Sequence, residues 1–190
     1  MYLFFDTETT GIPRNYKAPA SDLKNWPRLV QIAWLVADEK GNEIASAEHI
    51  IKPYGFTIPP DAAKIHGITT ELALKKGDDL KTILDAIVKD INKASVLIAH
   101  NIQFDEKILG AELLRVDYQN FVEAKQRRCT MQSATNYCRL PGPYGYKWPT
   151  LQELYMKLFH EDFKGAHNAL VDVHACARCY FELKRLKVMA

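Results

Sequence analysis

The chain opens on Met1-Tyr-Leu-Phe-Phe, apolar without a break, and then turns polar through Asp6-Thr-Glu-Thr-Thr to Gly11. A short run with no alternation is what a strand shows when both its faces are covered, so this one is expected near the centre of a sheet. Residues 29–37 form a second such run. Asp38-Glu-Lys-Gly-Asn follows as a turn in which Gly41 can take positive φ, and residues 43–52 read as a third strand, antiparallel to the second. Beyond Pro59-Pro60 the period changes. Ala62, Ala63 and Ile65, then Leu80, Ile83, Leu84, Ile87, Val88 and Ile91, recur at three and four, the spacing of a helix face. Residues 95–99 return to a buried strand, and helical spacing resumes over 104–114, 131–137, 151–159 and 170–186. Strands come first and helices alternate with strands later, which predicts an α/β fold.

Two stretches, 12–28 and 140–149, are rich in Pro, Gly and aromatics and are expected as loops bordering a cleft. Nothing between them resembles a linker, a repeat or a low-complexity tract, and a chain of 190 residues suits a single domain over 1–190.

A composition of 47% hydrophobic and 25% charged residues excludes wholesale disorder. The formal charge of +2 neither announces nor excludes a nucleic-acid partner, because a basic stripe and an acidic site cancel in the sum. Two local cationic runs, Lys125/Arg127/Arg128 and Lys184/Arg185/Lys187, read either as phosphate contacts or as solvated faces. Cys129, Cys138, Cys176 and Cys179 occur without a signal-peptide pattern, so reduced thiols and a cytoplasmic location are expected. Cys176 and Cys179 have C-x-x-C spacing but no second pair to complete a zinc site. No apolar run approaches the ~20 residues that span a bilayer, so no membrane partner is expected.

The chemistry lies in the acids. Asp6 and Glu8 stand two apart at the end of the first strand and therefore share one face. Neighbouring carboxylates repel and burial raises their pKa values, so such a pair either offers a cation site or merely marks the strand's exposed end. The arrangement recurs where residues 95–99 end at His100-Asn101 and Asp105 begins the next helix. Ligand sites in open α/β sheets lie outside the carboxyl ends of strands, so the three acids converge if the two strands are neighbours. A fourth acid, Asp172, falls in the first turns of the last helix, five residues after His167. On one helix these two would point about 140° apart, so they share a site only if His167 lies in the preceding loop, which Gly165 makes plausible. Hard carboxylate oxygens suit Mg²⁺ or Mn²⁺, two such ions can clamp a phosphodiester, and a histidine can take the proton of the attacking water.

The motifs Asp6-Thr-Glu-Thr-Thr-Gly, His66-Gly-Ile-Thr, His100-Asn-Ile-Gln-Phe-Asp105 and His167-x-x-x-x-Asp172 resemble, in order and spacing, those of the DEDDh 3′→5′ exonucleases, over nearly the whole chain. The resemblance implies a ribonuclease H-like α/β domain: a mixed sheet with its first three strands antiparallel, flanked by helices. It implies that Asp6, Glu8, Asp105 and Asp172 hold two divalent cations and that His167 is the general base. The partner it implies is a nucleic acid, DNA or RNA, with a free and single-stranded 3′ end, cut to nucleoside 5′-monophosphates. It further implies that the backbone from Thr7 to Thr9, with His66 and Phe104, receives the terminal nucleotide, and Asp61 is a candidate for its 3′-hydroxyl. Phe104 is equally readable as a core aromatic and His66 as a helix cap.

The chain departs from the family in three places. Residues 12–28 exceed the usual connection, and Lys17, Lys24, Trp26 and Arg28 are expected beside the cleft, where they would select substrate. Arg127-Arg128-Cys129-Thr130 replaces the acidic residue that often precedes this threonine. The end at Ala190 is read as leaving no room for a partner-binding tail; no motif supports a polymerase or homodimer partner. Two further readings compete: a catalytically silent nucleic-acid-binding module of the same fold, and a small-molecule phosphatase on the same metal site.

Overall fold

The first apolar run becomes the central strand and carries the two acids at its end, as expected: β1 spans Tyr2–Thr9. β2 (Leu29–Ala37) is buried along its whole length, as its mainly apolar pattern demands, and β3 (Glu43–Ile50) is largely open to solvent. The computed structural model, which describes residues 1–189, orders these strands β3-β2-β1 in antiparallel pairs. On the other side of β1 it adds β4 (Val96–Ala99) and β5 (Gln126–Cys129) in parallel. The helices are α1 (Pro60–His66), α2 (Thr70–Lys76), α3 (Leu80–Lys93), α4 (Ile102–Arg115), α5 (Thr130–Cys138), α6 (Leu151–Phe159) and α7 (Ala169–Arg185). This is the helix-flanked mixed sheet of the ribonuclease H-like fold, with its first three strands antiparallel as expected.

Side-chain alternation divides β1 between two cores. Leu3 and Phe5 join Ile32, Trp34 and Leu97 under α3 and α4. Phe4 joins Ala33, Leu35 and Ile98 under α5, α6 and α7, where Tyr180 packs edge-on against it with ring centroids 5.4 Å apart. A smaller cluster, Val30, Ile58, Ala62, Ile68 and Ala73, seats α1 and α2. With both faces of the sheet covered, one end is left for chemistry: the end where β1 leaves its apolar residues behind.

Four features differ from expectation. The third strand stops at Ile50, and Ile51 instead bridges Asp78. β5 and α2 were not anticipated, and the stretch 140–149 carries a small hairpin, β6 (Pro141–Gly142) with β7 (Gly145–Tyr146). The four cysteines are buried and free. The cationic runs are mostly occupied by the protein itself. Lys125 Nζ donates to the Asn92 and Ala94 carbonyls, Arg127 pairs with buried Glu106, Lys184 donates to the Tyr2 hydroxyl, and Arg185 pairs with Glu182.

The loop 12–28 corrects another expectation. Lys17 and Lys24 are exposed, but Trp26 is 3% exposed with its indole N–H donating to the Pro19 carbonyl. Arg28 lies over the Phe56 ring, 4.3 Å from its centroid, and forks onto Glu112. Arg28 faces inward because Glu112, fully buried on α4, needs donors. It accepts from Arg28 Nε (2.9 Å), Leu29 N (2.9 Å) and Arg115 Nη1 (2.8 Å). Arg115 Nη2 in turn donates to the Leu23 and Trp26 carbonyls at 2.7 and 2.8 Å. Glu112→Gln keeps the shape and removes the charge, leaving two guanidinium groups without their counterion. Breaking a buried pair of this kind costs about 3–5 kcal/mol, so urea unfolding is expected to show a loss of that order, and a loss below about 1 kcal/mol would refute the network's role.

Candidate active site

Asp6 and Glu8 follow Phe4 on the face of β1 that α7 covers, beyond the last residue the apolar core needs. Opposite Asp6 in the register sits small Ala33, and opposite Glu8 sits Gln31. Gln31 is 5% exposed, and its Oε1 accepts the N–H of Ala169 at 3.3 Å while its amide donates to Glu48. The first N–H of α7 is thereby satisfied from the sheet, and the helix begins directly over the acids. Asn168 caps the same helix by accepting from Val171 N. Asp172 lies in the first turn, so its carboxylate is delivered beside Glu8.

His167 lies in the loop, as sharing a site with Asp172 requires. Gly165 (φ 88°) and His167 (φ 67°) both take left-handed backbone, which turns the chain sharply before Asn168. The His167 N–H donates to Asp172 Oδ2 at 2.9 Å, so the backbone is pinned while the side chain stays exposed. Ligand atoms of Glu8, His167 and Asp172 all lie within 4.8 Å of one another.

Asp105 arrives from the opposite face. Asn101 takes left-handed backbone (φ 76°) and turns β4 directly into α4, which puts Asp105 in the first turn, 3% exposed. Its Oδ1 accepts from both Thr7 N (3.1 Å) and Thr7 Oγ1 (2.7 Å). Thr7, between the two strand acids, therefore ties the third to them.

The charges feel one another. Burial pushes the Asp6 carboxyl well above the usual range, and the charges of Asp105, Asp172 and Glu8 push it further. Glu8 is raised to about 8 by burial, then by Asp172 and Asp105. Asp105 is raised to about 7, mostly by burial, against the pull of the two Thr7 hydrogen bonds. Asp172 is raised by burial and eased by the His167 N–H. Among the described residues no Lys or Arg forms an ion pair with any of the four.

Cavities open on two sides of the cluster. One, of about 360 Å³, is lined by Thr7, Glu8, Thr9, Asp61, His66 and Phe104 with apolar Ile12, Ala62 and Ile65, and so gathers every residue expected at the terminal nucleotide. Phe104 packs at the edge of the α3/α4 core, as its reading as a core aromatic requires, and one side of it lies in this wall. His66 meets its reading as a helix cap. Its Nδ1 accepts from Ile68 N at 3.1 Å, a cap for the end of α1, while its Nε2 is buried without a partner. Asp61 sits at the rim, its side chain 95% exposed and paired with Lys64. The other cavity, of about 200 Å³, is lined by Asp6, His167 and Asp172 with His100, Thr150, Leu151, Gln152 and Phe163.

A sequence profile of the RNase T exonuclease family matches residues 3–180, so it takes in all four acids and His167. The chain belongs to that exonuclease family. Relatives of this exonuclease include the DNA polymerase III subunit epsilon of Rickettsia prowazekii, 34% identical over 188 residues, covering 95% of this chain and 72% of that one. The DNA polymerase III subunit epsilon of Treponema pallidum is 37% identical over 109 residues, 57% of this chain and 44% of that one. A zinc-bound E. coli exonuclease I complex with single-stranded DNA superposes with TM-score 0.77 at 22% identity, covering 98% of this chain and 41% of that one. The exonuclease thus spans less than half of the treponemal relative and of exonuclease I.

The donor set fits divalent metal. Four carboxylates that repel one another, with no protein cation to offset them, are stabilised by hard dications, and oxygen ligands suit Mg²⁺ or Mn²⁺. Two residues that position the site were given no role in the sequence: Gln31, hidden inside an apolar strand, and His100, read as a strand end and as the first residue of a family motif. His100 Nε2 donates to the Pro149 carbonyl at 3.0 Å and Nδ1 accepts from Thr130 Oγ1 at 2.9 Å, consistent with a neutral ring whose pKa burial lowers to about 4.

A pH dependence follows. Glu8 and Asp105 titrate near 8 and 7 when folded, against 4.5 and 3.8 ordinarily, so the folded state holds more protons between those limits. Their contribution to stability is complete below the lower values and is lost as pH rises through the folded ones. In chelator, Tm is expected to fall between about pH 4.5 and pH 8, and Mg²⁺ or Mn²⁺ to flatten the fall. A Tm unaffected by cations at the upper end of this window would count against a metal site.

Proposed function

We propose that this chain is a divalent-cation-dependent 3′→5′ exonuclease that hydrolyses the last phosphodiester of a single-stranded DNA or RNA 3′ end and releases nucleoside 5′-monophosphates. The observation that carries this reading is the convergence of Asp6, Glu8, Asp105, Asp172 and His167 between a cavity walled by Glu8, Phe104 and His66 and a second one lined by Asp6, His167 and Asp172. Asp6, Glu8, Asp105 and Asp172 would hold two Mg²⁺ or Mn²⁺ ions, whose chemistry is to activate water and to neutralise charge on the attacking and leaving oxygens.

The chain's own groups do the rest. Thr7 fixes Asp105 through two donors, and the His167 N–H fixes Asp172, so the acids are set before substrate arrives. The exposed imidazole of His167, carried on a pinned backbone, takes the proton of the attacking water, an action commonly worth 10²–10⁴-fold in rate. Phe104 offers a face on which any terminal base can stack, so little base preference is expected. Since His66 Nδ1 accepts from Ile68, a neutral ring carries its proton on Nε2, and that orphaned donor would find an oxygen of the terminal nucleotide. Asp61 at the rim would take the 3′-hydroxyl after releasing Lys64. The polymerase III subunits among the relatives support a proofreading or repair setting, and four buried free thiols suit the cytoplasm. No helix among the described residues is long and apolar enough to cross a membrane.

The test is a 5′-labelled single strand, as DNA and as RNA, incubated in Mg²⁺, in Mn²⁺ and in EDTA. A metal-dependent ladder shortening from the 3′ end is expected. Binding without cleavage would favour a silent module, and hydrolysis of mononucleotides alone a small-molecule phosphatase. Asp6→Ala and Asp172→Ala are expected to abolish the ladder while keeping a native circular dichroism spectrum; full activity in either would refute the assignment. His167→Ala is expected to lose roughly 10²–10⁴ in rate and the neutral limb of the pH profile while still binding Mn²⁺. A normal pH profile in that variant would remove His167 from the role of base.

A further inference from the structure

The segment 140–149 is built stiff and left uncovered. Pro141 pairs with Tyr146 and Gly142 with Gly145, so β6 and β7 close through Pro143 and Tyr144, and Lys147 N donates to the Leu140 carbonyl at 2.9 Å. Gly145, at φ +123°, holds a conformation that L side chains rarely adopt. Leu140 packs against the α5/α6/α7 core, which anchors one leg. The other leg ends at buried Pro149, whose carbonyl accepts the His100 Nε2–H, and the next residues, Thr150, Leu151 and Gln152, line the cavity that holds Asp6, His167 and Asp172.

The side chains this hairpin turns outward are aromatic. Tyr144 is fully exposed, Tyr146 is 51% exposed and Trp148 is 60% exposed. Three large aromatic rings within five residues, each at least half exposed, put apolar surface in the solvent of the kind that marks a binding surface. Arg139, exposed at the end of α5, adds positive charge to the same segment, while the ammonium of Lys147, beside Trp148, is paired with Glu153.

We propose that Tyr144, Tyr146 and Trp148 stack on unpaired bases of the substrate strand, upstream of the phosphodiester that is cut, so that the protein favours long single strands over short fragments. The occupant is argued from continuity: Trp148 lies two residues from the wall of the catalytic cavity, and a strand with its end at the acids must pass out of the cleft. Stacking faces with flanking cations are the chemistry by which single strands are held without regard to sequence. The direction of the strand rests on the exonuclease reading; the stacking itself does not.

Trp26 and Trp34 are each 3% exposed, so of the three tryptophans Trp148 alone reports from the surface. In EDTA, where no strand is cut, an oligothymidylate of about 10 nucleotides is expected to quench Trp148 emission and thymidine 5′-monophosphate is not. In Mg²⁺, the double variant Tyr144→Ala/Trp148→Ala is expected to lose roughly 5- to 100-fold in kcat/KM on the long strand, chiefly through KM, and nothing on a dinucleotide. Absence of quenching with unchanged kinetics on the long strand overturns the proposal and leaves the rings to a protein partner. An equal loss on the dinucleotide also overturns it, since the hairpin would then only shape the cleft. Quenching by a wild-type protein that hydrolyses neither substrate would uphold the stacking site and sink the exonuclease reading.

Discussion

Mutual repulsion among four carboxylates at one end of a sheet is the constraint around which this molecule is arranged. Left alone, Asp6, Glu8, Asp105 and Asp172 would separate or take up protons. The protein prevents separation with neutral donors instead of cations. Thr7 gives both its N–H and its hydroxyl to Asp105, and the His167 backbone gives its N–H to Asp172. Hydrogen bonds to charged groups contribute about 1.5–3 kcal/mol each, enough to fix geometry without cancelling the field that draws a dication.

The sheet makes that geometry possible because its two faces meet at the end of β1. Alternation sends Phe4, Asp6 and Glu8 toward α7 and Thr7 toward α4, so one strand receives acids from both layers. Parallel β4 beside β1 starts α4 at the same level, and Gln31 on β2 holds the first turn of α7 there. Each helix is thereby registered to the strand by a side chain of the sheet, not by its own packing alone.

Much of this was legible in the pattern of residues. Unbroken apolar runs marked β1, β2 and β4, and three-and-four spacing marked the long helices, because burial dictates both. The four acids and His167 stood out because their chemistry is costly anywhere except at a site. Short elements with little apolar content escaped: β5, Gln-Arg-Arg-Cys, is held as a parallel edge, and α2, Thr-Glu-Leu-Ala-Leu-Lys-Lys, is too short to show a period. Trp26 and Arg28 were misplaced for a different reason. Residue type suggested a binding loop, whereas the demand of Glu112 for donors lies 84 residues away in sequence from Arg28 and leaves no local trace. The motifs that carry the resemblance named residues that line one cavity, Thr7, Thr9, His66 and Phe104, and the cap reading of His66 is met by its contact with Ile68 N.

The anchoring of the loop 12–28 has an evolutionary corollary. Arg115 grips it through the main-chain carbonyls of Leu23 and Trp26, and Asn25 grips it through the main chain of Asn15. Its course therefore hardly depends on the outward side chains at Arg14, Tyr16, Lys17 and Lys24. Tyr16 stands only 6.4 Å, centroid to centroid, from Phe104. The residues on the outer face of this loop can thus be exchanged one at a time while the scaffold stays put, which makes it the part of the chain freest to vary in what it presents beside Phe104.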